Sequence, residues 1–139
     1  MSADESKKTT GQLLAKGTSQ EGFSTKDVLI YQNVSHKGFS FEGRNYKNEW
    51  LIFFVHTLDI RAGESYRIEQ SGSTGTATAH YQASADVKYD GISGFIKFVK
   101  FDKLTQEAVI EVEATIARVN SDLKEIVVKG EFSGFEGSN

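Results

Sequence analysis

The stretch EAVIEVEATIA, residues 107–117, constrains this chain more than any other segment. Ala108, Ile110, Val112, Ala114 and Ile116 share one parity, while Glu107, Val109, Glu111, Glu113, Thr115 and Ala117 share the other. Successive side chains of a strand point to opposite faces, so the alternation builds an apolar row backed by one that carries all three glutamates. A helix would scatter the same apolar residues around its circumference. A strand of this length needs partners for its backbone and cover for its apolar face, which commits the chain to a sheet.

EIVVKGEF (125–132) supplies an antiparallel partner, with VNSDLK (119–124) as the connecting turn. GFIKFVKFD (94–102) and EWLIFFVHTLD (49–59) carry apolar residues on both parities and are expected to be covered on both sides. DVLIYQNV (27–34), GFSFEG (38–43), ESYRIEQS (64–71), TATAHYQ (76–82) and ADVKYD (85–90) complete the set. Gly, Asn, Asp and Ser punctuate these segments at sandwich or barrel spacing. GQLLAKG (11–17) is the one segment with the character of a short helix. The expected fold is all-β, an antiparallel sandwich of about eight or nine strands, with a closed or partly open barrel as the alternative. Residues 1–20 are expected to be a flexible N-terminal segment, 21–135 a single β domain, and 136–139 a flexible tail.

Composition narrows the chemistry. The 139 residues fit one core, and ten Phe, five Tyr and one Trp supply the bulk to fill it. With no Cys, disulfides, thiolate metal sites, Fe–S clusters and cysteine nucleophiles are excluded. The formal charge is −3 and the Lys and Arg residues are dispersed, so no nucleic-acid partner is expected. The longest apolar run, WLIFFV, is too short to span a bilayer, and MSADESKKTTGQLLAKG has no secretory apolar region. No membrane insertion is expected, and either a cytoplasmic or a mature secreted form fits.

Sequence motifs for catalysis are weak. QSGSTGTATAH (70–80) places Gly72 and Gly75 three apart, the next Lys is Lys88, and a strand-like segment follows, so a phosphate loop fails on spacing, cation and helix. It reads as a hydroxyl-rich loop beside His80 and Tyr81. His36, His56 and His80 lack metal-ligand spacing, and His56 is expected to end a strand. Glu111 and Glu113 lie about 7 Å apart on one strand face, within range of a carboxylate pair, but in the setting of a solvated face. Asp86, Asp90 and Asp102 fit turns rather than a calcium loop. No catalytic residue, metal site or cofactor is assigned. EGRNYKNEW (42–50) carries the mixture of aromatic and polar side chains used in sugar binding, and the candidate ligand-binding residues are Arg44, Tyr46, Asn48 and Trp50, with His80 and Tyr81.

From Gly63 onward, GESYRI, GFIKFVKFD, EAVIEVEATIA and KGEF occur in an order that resembles small β-sandwich domains of uncharacterised function in bacterial surface lipoproteins. The resemblance covers about half of the chain, implies a sandwich and brings no catalytic residues. The lipobox cysteine of such proteins is missing here, so membrane attachment does not carry over. The functional expectation is a soluble, non-catalytic binding or interaction module for a protein or glycan. The alternatives are a lipocalin-like carrier of a small apolar ligand and, behind it, a hydrolase using surface carboxylates. Strand edges would allow a dimer.

Overall fold

A computed structural model describes residues 7–118 and 123–138. Eleven strands follow in order: β1 (Thr10–Lys16), β2 (Phe23–Thr25), β3 (Val28–Asn33), β4 (Gly38–Arg44), β5 (Trp50–Val55), β6 (Ser65–Arg67), β7 (Ala77–Ser84), β8 (Val87–Asp102), β9 (Glu107–Ala117), β10 (Leu123–Ser133) and β11 (Glu136–Ser138). The chain is all-β, and its strands hydrogen-bond into one curled sheet rather than two. The order is β11-β3-β4-β5-β7-β8-β9-β10-β1-β2, with β6 paired to β8 off this path, and the sheet forms a half-barrel. Every strand pair is antiparallel except β11 with β3.

The 107–117 strand forms as its alternation requires. Ala108, Ile110, Val112, Ala114 and Ile116 are buried, while Glu111 and Glu113 are exposed. β10 pairs with it along its full length, from Leu123↔Ala117 to Ser133↔Glu107. Most of the expected turn, residues 119–122, lies outside the described residues.

The two segments expected to be covered on both faces are covered on one. In β5, Leu51, Phe53 and Val55 are fully buried, whereas Trp50, Ile52 and Phe54 line a partly open outer face. The segments 85–90 and 94–102 belong to a single strand, β8, irregular between Gly91 and Ser93 and again between Phe98 and Lys100. Each bulge shifts parity by one residue. Tyr89, then Ile96 and Phe98, then Phe101 therefore all face inward, although their numbering does not keep one alternation. Phe95 and Val99 are left outside, at 38% and 50% exposure.

Two described segments near the ends of the sequence join the sheet. Residues 10–16 form β1, between β10 and β2, so GQLLAKG is strand and not helix. At the other end β11 pairs with β3. Between β10 and β11 the backbone bends at Gly134, whose φ of +95° favours glycine and whose missing Cβ would sit 2.4 Å from the Lys8 carbonyl oxygen. Thr9 ties this bend to β3: its hydroxyl donates to the Gly134 carbonyl at 2.7 Å and accepts from the Ile30 amide at 3.0 Å. These bonds draw the two ends of the curled sheet together. The concave face is filled by rings in mostly edge-to-face or tilted contact, including Phe39–Phe101 at 5.3 Å, Phe41–Phe98 at 5.2 Å and Tyr66–Phe98 at 5.6 Å.

Candidate functional site

The convex face of β4, β5, β7 and β8 gathers polar and aromatic side chains by register. Arg44 lies opposite Trp50, Trp50 opposite Gln82, and Gln82 opposite Lys88. One step along, Glu42 faces Ile52, Ile52 faces His80, and His80 faces Asp90. Trp50 sits between two shallow depressions and lines both. One, of about 220 Å³, includes Asp27, Leu29, Glu42 and Arg44; the other, of about 200 Å³, includes Ile52, His80, Gln82, Lys88 and Asp90.

The indole is held in place from two sides. Its Nε1–H donates to Glu42 at 3.2 Å, and Glu42 accepts a second bond from Ser40 at 2.8 Å. The Arg44 guanidinium lies 4.8 Å from the ring centroid, a cation–π contact. Across the sheet, His80 Nδ1 is 2.6 Å from Asp90 Oδ1, with both side chains at least half exposed. The arrangement offers an aromatic surface flanked by a guanidinium, an amide, an ammonium, carboxylates and an imidazole.

The six residues singled out from the sequence divide accordingly. Arg44, Trp50 and His80 share this face. Tyr46, 86% exposed, and Asn48 belong to the β4–β5 hairpin loop, where Lys47 approaches the Tyr46 ring and pairs with Glu21. Tyr81 points the other way, into the core, because it follows His80 along a strand. Its hydroxyl donates to Glu49, a buried carboxylate that also accepts from Asn45 Nδ2 at 2.6 Å. Burial pushes the Tyr81 phenol far above its ordinary value, and the Glu49 hydrogen bond and charge add to the shift. Asn45 Oδ1 in turn accepts from the amides of Lys47 and Glu49, each at 3.0 Å, which fixes the hairpin loop onto this buried group.

Glu42, Ile52, Gln82, Lys88 and Asp90 were not expected at this face. Asp90 read as a turn former, yet it lies within β8; its parity with Lys88 was the available signal, hidden by the unknown register with β7. Asp102 does form a turn, accepting from the amides of Leu104 and Thr105 at 2.8 and 3.2 Å.

The loop 70–76 packs against His56. Ser73 and Thr76 bond to each other through backbone and hydroxyl, and the Gly75 amide donates to the His56 carbonyl at 3.0 Å. Gly72 lies flat on the imidazole: a Cβ there would come within 2.0 Å of Nε2. Burial lowers the His56 pKa, and Nε2 has no hydrogen-bond partner among the described residues. Among the described residues no cluster of three His, Asp or Glu side chains is placed to hold a metal ion. None of the described residues forms a helix long and apolar enough to cross a membrane.

No family model, curated protein or solved structure matches this chain.

Proposed function

We propose that this is a non-catalytic binding module whose ligand is a glycan and whose contact face is the convex surface around Trp50. The observation that carries the proposal is the setting of Trp50: a partly exposed indole, oriented by Glu42 and Arg44, between two depressions with hydrogen-bonding rims. An aromatic ring presents an apolar surface to the C–H face of a pyranose, while neighbouring carboxylate, amide and guanidinium groups can bond its hydroxyls. A rigid sheet with a pre-oriented ring loses little freedom on binding, which favours such a role. A partly open barrel is the finer architecture that fits this reading, with the convex side of its curled sheet as the contact face. The carrier alternative is less favoured because the concave side is occupied by Phe39, Phe41, Phe53, Phe98 and Tyr81, each below 2% exposure, and the described depressions all open outward.

The test is a glycan array with wild type and Trp50→Ala. Wild type should be retained on a defined glycan class and the variant should lose that retention, with Tyr46→Ala reporting whether the hairpin tip contributes. Failure of the wild type to bind any glycan, or equal retention of Trp50→Ala, would overturn the proposal.

A further inference from the structure

His56 continues the outer row of β5. Trp50, Ile52 and Phe54 are the half-buried residues of that strand, and His56, one step past its end, keeps their parity. Its ring lies 4.6 Å from the Phe54 ring between centroids, and Gly72 leaves no room for a Cβ beside Nε2 and Cε1. Main-chain bonds to His56 itself hold the loop 70–76 in this position. The His56 amide donates to the Thr76 carbonyl at 2.8 Å, and the Gly75 amide donates to the His56 carbonyl at 3.0 Å. The Ser73 carbonyl accepts from the Thr76 amide at 3.0 Å and from its hydroxyl at 2.8 Å, which closes the turn.

The two ring nitrogens have different surroundings. Nε2 is buried without a hydrogen-bond partner among the described residues, whereas Nδ1 is not sealed off in this way. A neutral imidazole can carry its hydrogen on Nδ1 and leave only a lone pair at Nε2. A protonated imidazole has an N–H on both nitrogens, so protonation sets a charged donor against Gly72 with nothing to accept from it. A buried charged donor without an acceptor costs more than a neutral one, and displacement of the loop lets water reach it.

The charged groups on the surrounding elements do not relieve this. Asp59, further along the same segment, bonds Arg61 at 3.1 Å. Glu69, before the loop, pairs with Arg67 at 2.9 Å and accepts from Ser73. In the β3–β4 turn His36 is engaged by Ser35 and Asn33, and Lys37 brings only a further positive charge. β7 meets β5 here with Ala77 and Thr78, neither of them charged. No ion pair among the described residues includes His56, and its pKa is lowered by burial alone.

We propose that the loop 70–76 is a proton-operated latch, shut against the neutral His56 ring and released when that ring is protonated. Release frees the end of the outer row that begins at Trp50. The latch rests on His56 and Gly72 and does not depend on what the Trp50 face binds. A freed imidazole protonates near its ordinary value of about 6.5, whereas the shut loop holds the ring neutral to lower pH. The latch is therefore fully shut above about pH 6.5, and the open fraction rises by up to about tenfold per pH unit as pH falls between the two values.

Amide hydrogen exchange of the whole protein, read by NMR from about pH 7.5 to about pH 4.5 as protection factors, tests this. Protection at His56, Gly75 and Thr76 should fall by up to about tenfold per pH unit below about pH 6.5, while Ile110 and Val128 in the core keep theirs. His56→Gln has no proton to take up in this range, so its loop protection should not change with pH. Gly72→Ala drives a Cβ into the space beside Nε2 and should lower loop protection at neutral pH to the level that wild type reaches only in acid. Constant loop protection in wild type, a loss in acid that persists in His56→Gln, or wild-type protection in Gly72→Ala would overturn the latch. So would a parallel loss at Ile110 and Val128, which would make the event global unfolding.

Discussion

Replacing Glu49 with alanine should destabilise the fold by about 3 kcal/mol, although Glu49 lies in a hairpin loop. Its carboxylate accepts from the Tyr81 hydroxyl and from Asn45 Nδ2, and Tyr81 and Asn45 are only 1% and 7% exposed. Each buried donor left without an acceptor costs about 1–3 kcal/mol. Two such donors sum to about 2–6 kcal/mol, and Asn45, the closer of the two to solvent, recovers part of its loss, which places the total in the lower half of that span, near 3 kcal/mol. The backbone bonds at position 49 survive the substitution, so the loop keeps its course. For a domain of this size, about 3 kcal/mol corresponds to a fall in Tm of roughly 10 °C. Urea unfolding followed by the fluorescence of the single Trp measures the loss directly. Glu49→Gln keeps an acceptor of the same shape and should cost about 1 kcal/mol. Tyr81→Phe combined with Glu49→Ala should cost less than the two single changes together, by about 1 kcal/mol or more. Tyr81 should also resist alkaline titration in the folded protein. Its folded pKa is raised, so above about pH 10 the unfolded phenol gives up its proton while the folded one keeps it. Stability is therefore full below pH 10 and declines as pH rises beyond it. A cost for Glu49→Ala below about 0.5 kcal/mol, or strict additivity in the double variant, would refute the view that this buried group fixes the hairpin.

Two further outcomes follow from single residues. His56 has a lowered pKa in the folded state, so the unfolded chain binds its proton first and stability falls as pH drops through about 6.5; His56→Gln should flatten the slope of stability against pH in that window, measured by urea midpoints. Phe98 is fully buried and touches Phe41, Tyr66 and Phe101, so Phe98→Ala should cost about 3–5 kcal/mol by the same unfolding assay.

How far the sequence reveals this fold depends on whether alternation runs unbroken. Along 107–117 it does, and both faces of β9 can be read in advance. Along 87–102 two bulges reset the parity, so Phe95 and Val99 carry no mark in the sequence that separates them from Phe98, and the pairing with β9 makes the distinction. β1 was missed for a different reason. TGQLLAK is short, polar at its start and framed by glycine, and it becomes a strand through the two neighbours it lies between. The same holds for β11, three residues that pair, among the described residues, with a strand more than a hundred positions earlier. Within the candidate site, Trp50 and Arg44 were legible because a hairpin places them opposite each other locally. His80 could be named, but its partner Asp90 depends on the β7–β8 register.

Strand parity also explains why neighbours in sequence take on unrelated tasks. His80 and Tyr81 look like one feature, but a strand sends them to opposite sides, His80 to the convex face with Asp90 and Tyr81 to the buried carboxylate of Glu49. Glu49, the last residue of the hairpin loop, and Trp50, the first of β5, repeat this division, so two consecutive residues at each position serve the core on one side and the exposed face on the other. The arrangement couples the two: the Glu49–Tyr81 bond joins the residue before β5 to β7 on the buried side, and the neighbouring Trp50–Gln82 pair joins the same strands on the exposed side. Loss of the buried bond should therefore loosen the spacing of the residues that flank Trp50. A sheet only one strand thick cannot reorganise its core without moving its outer surface.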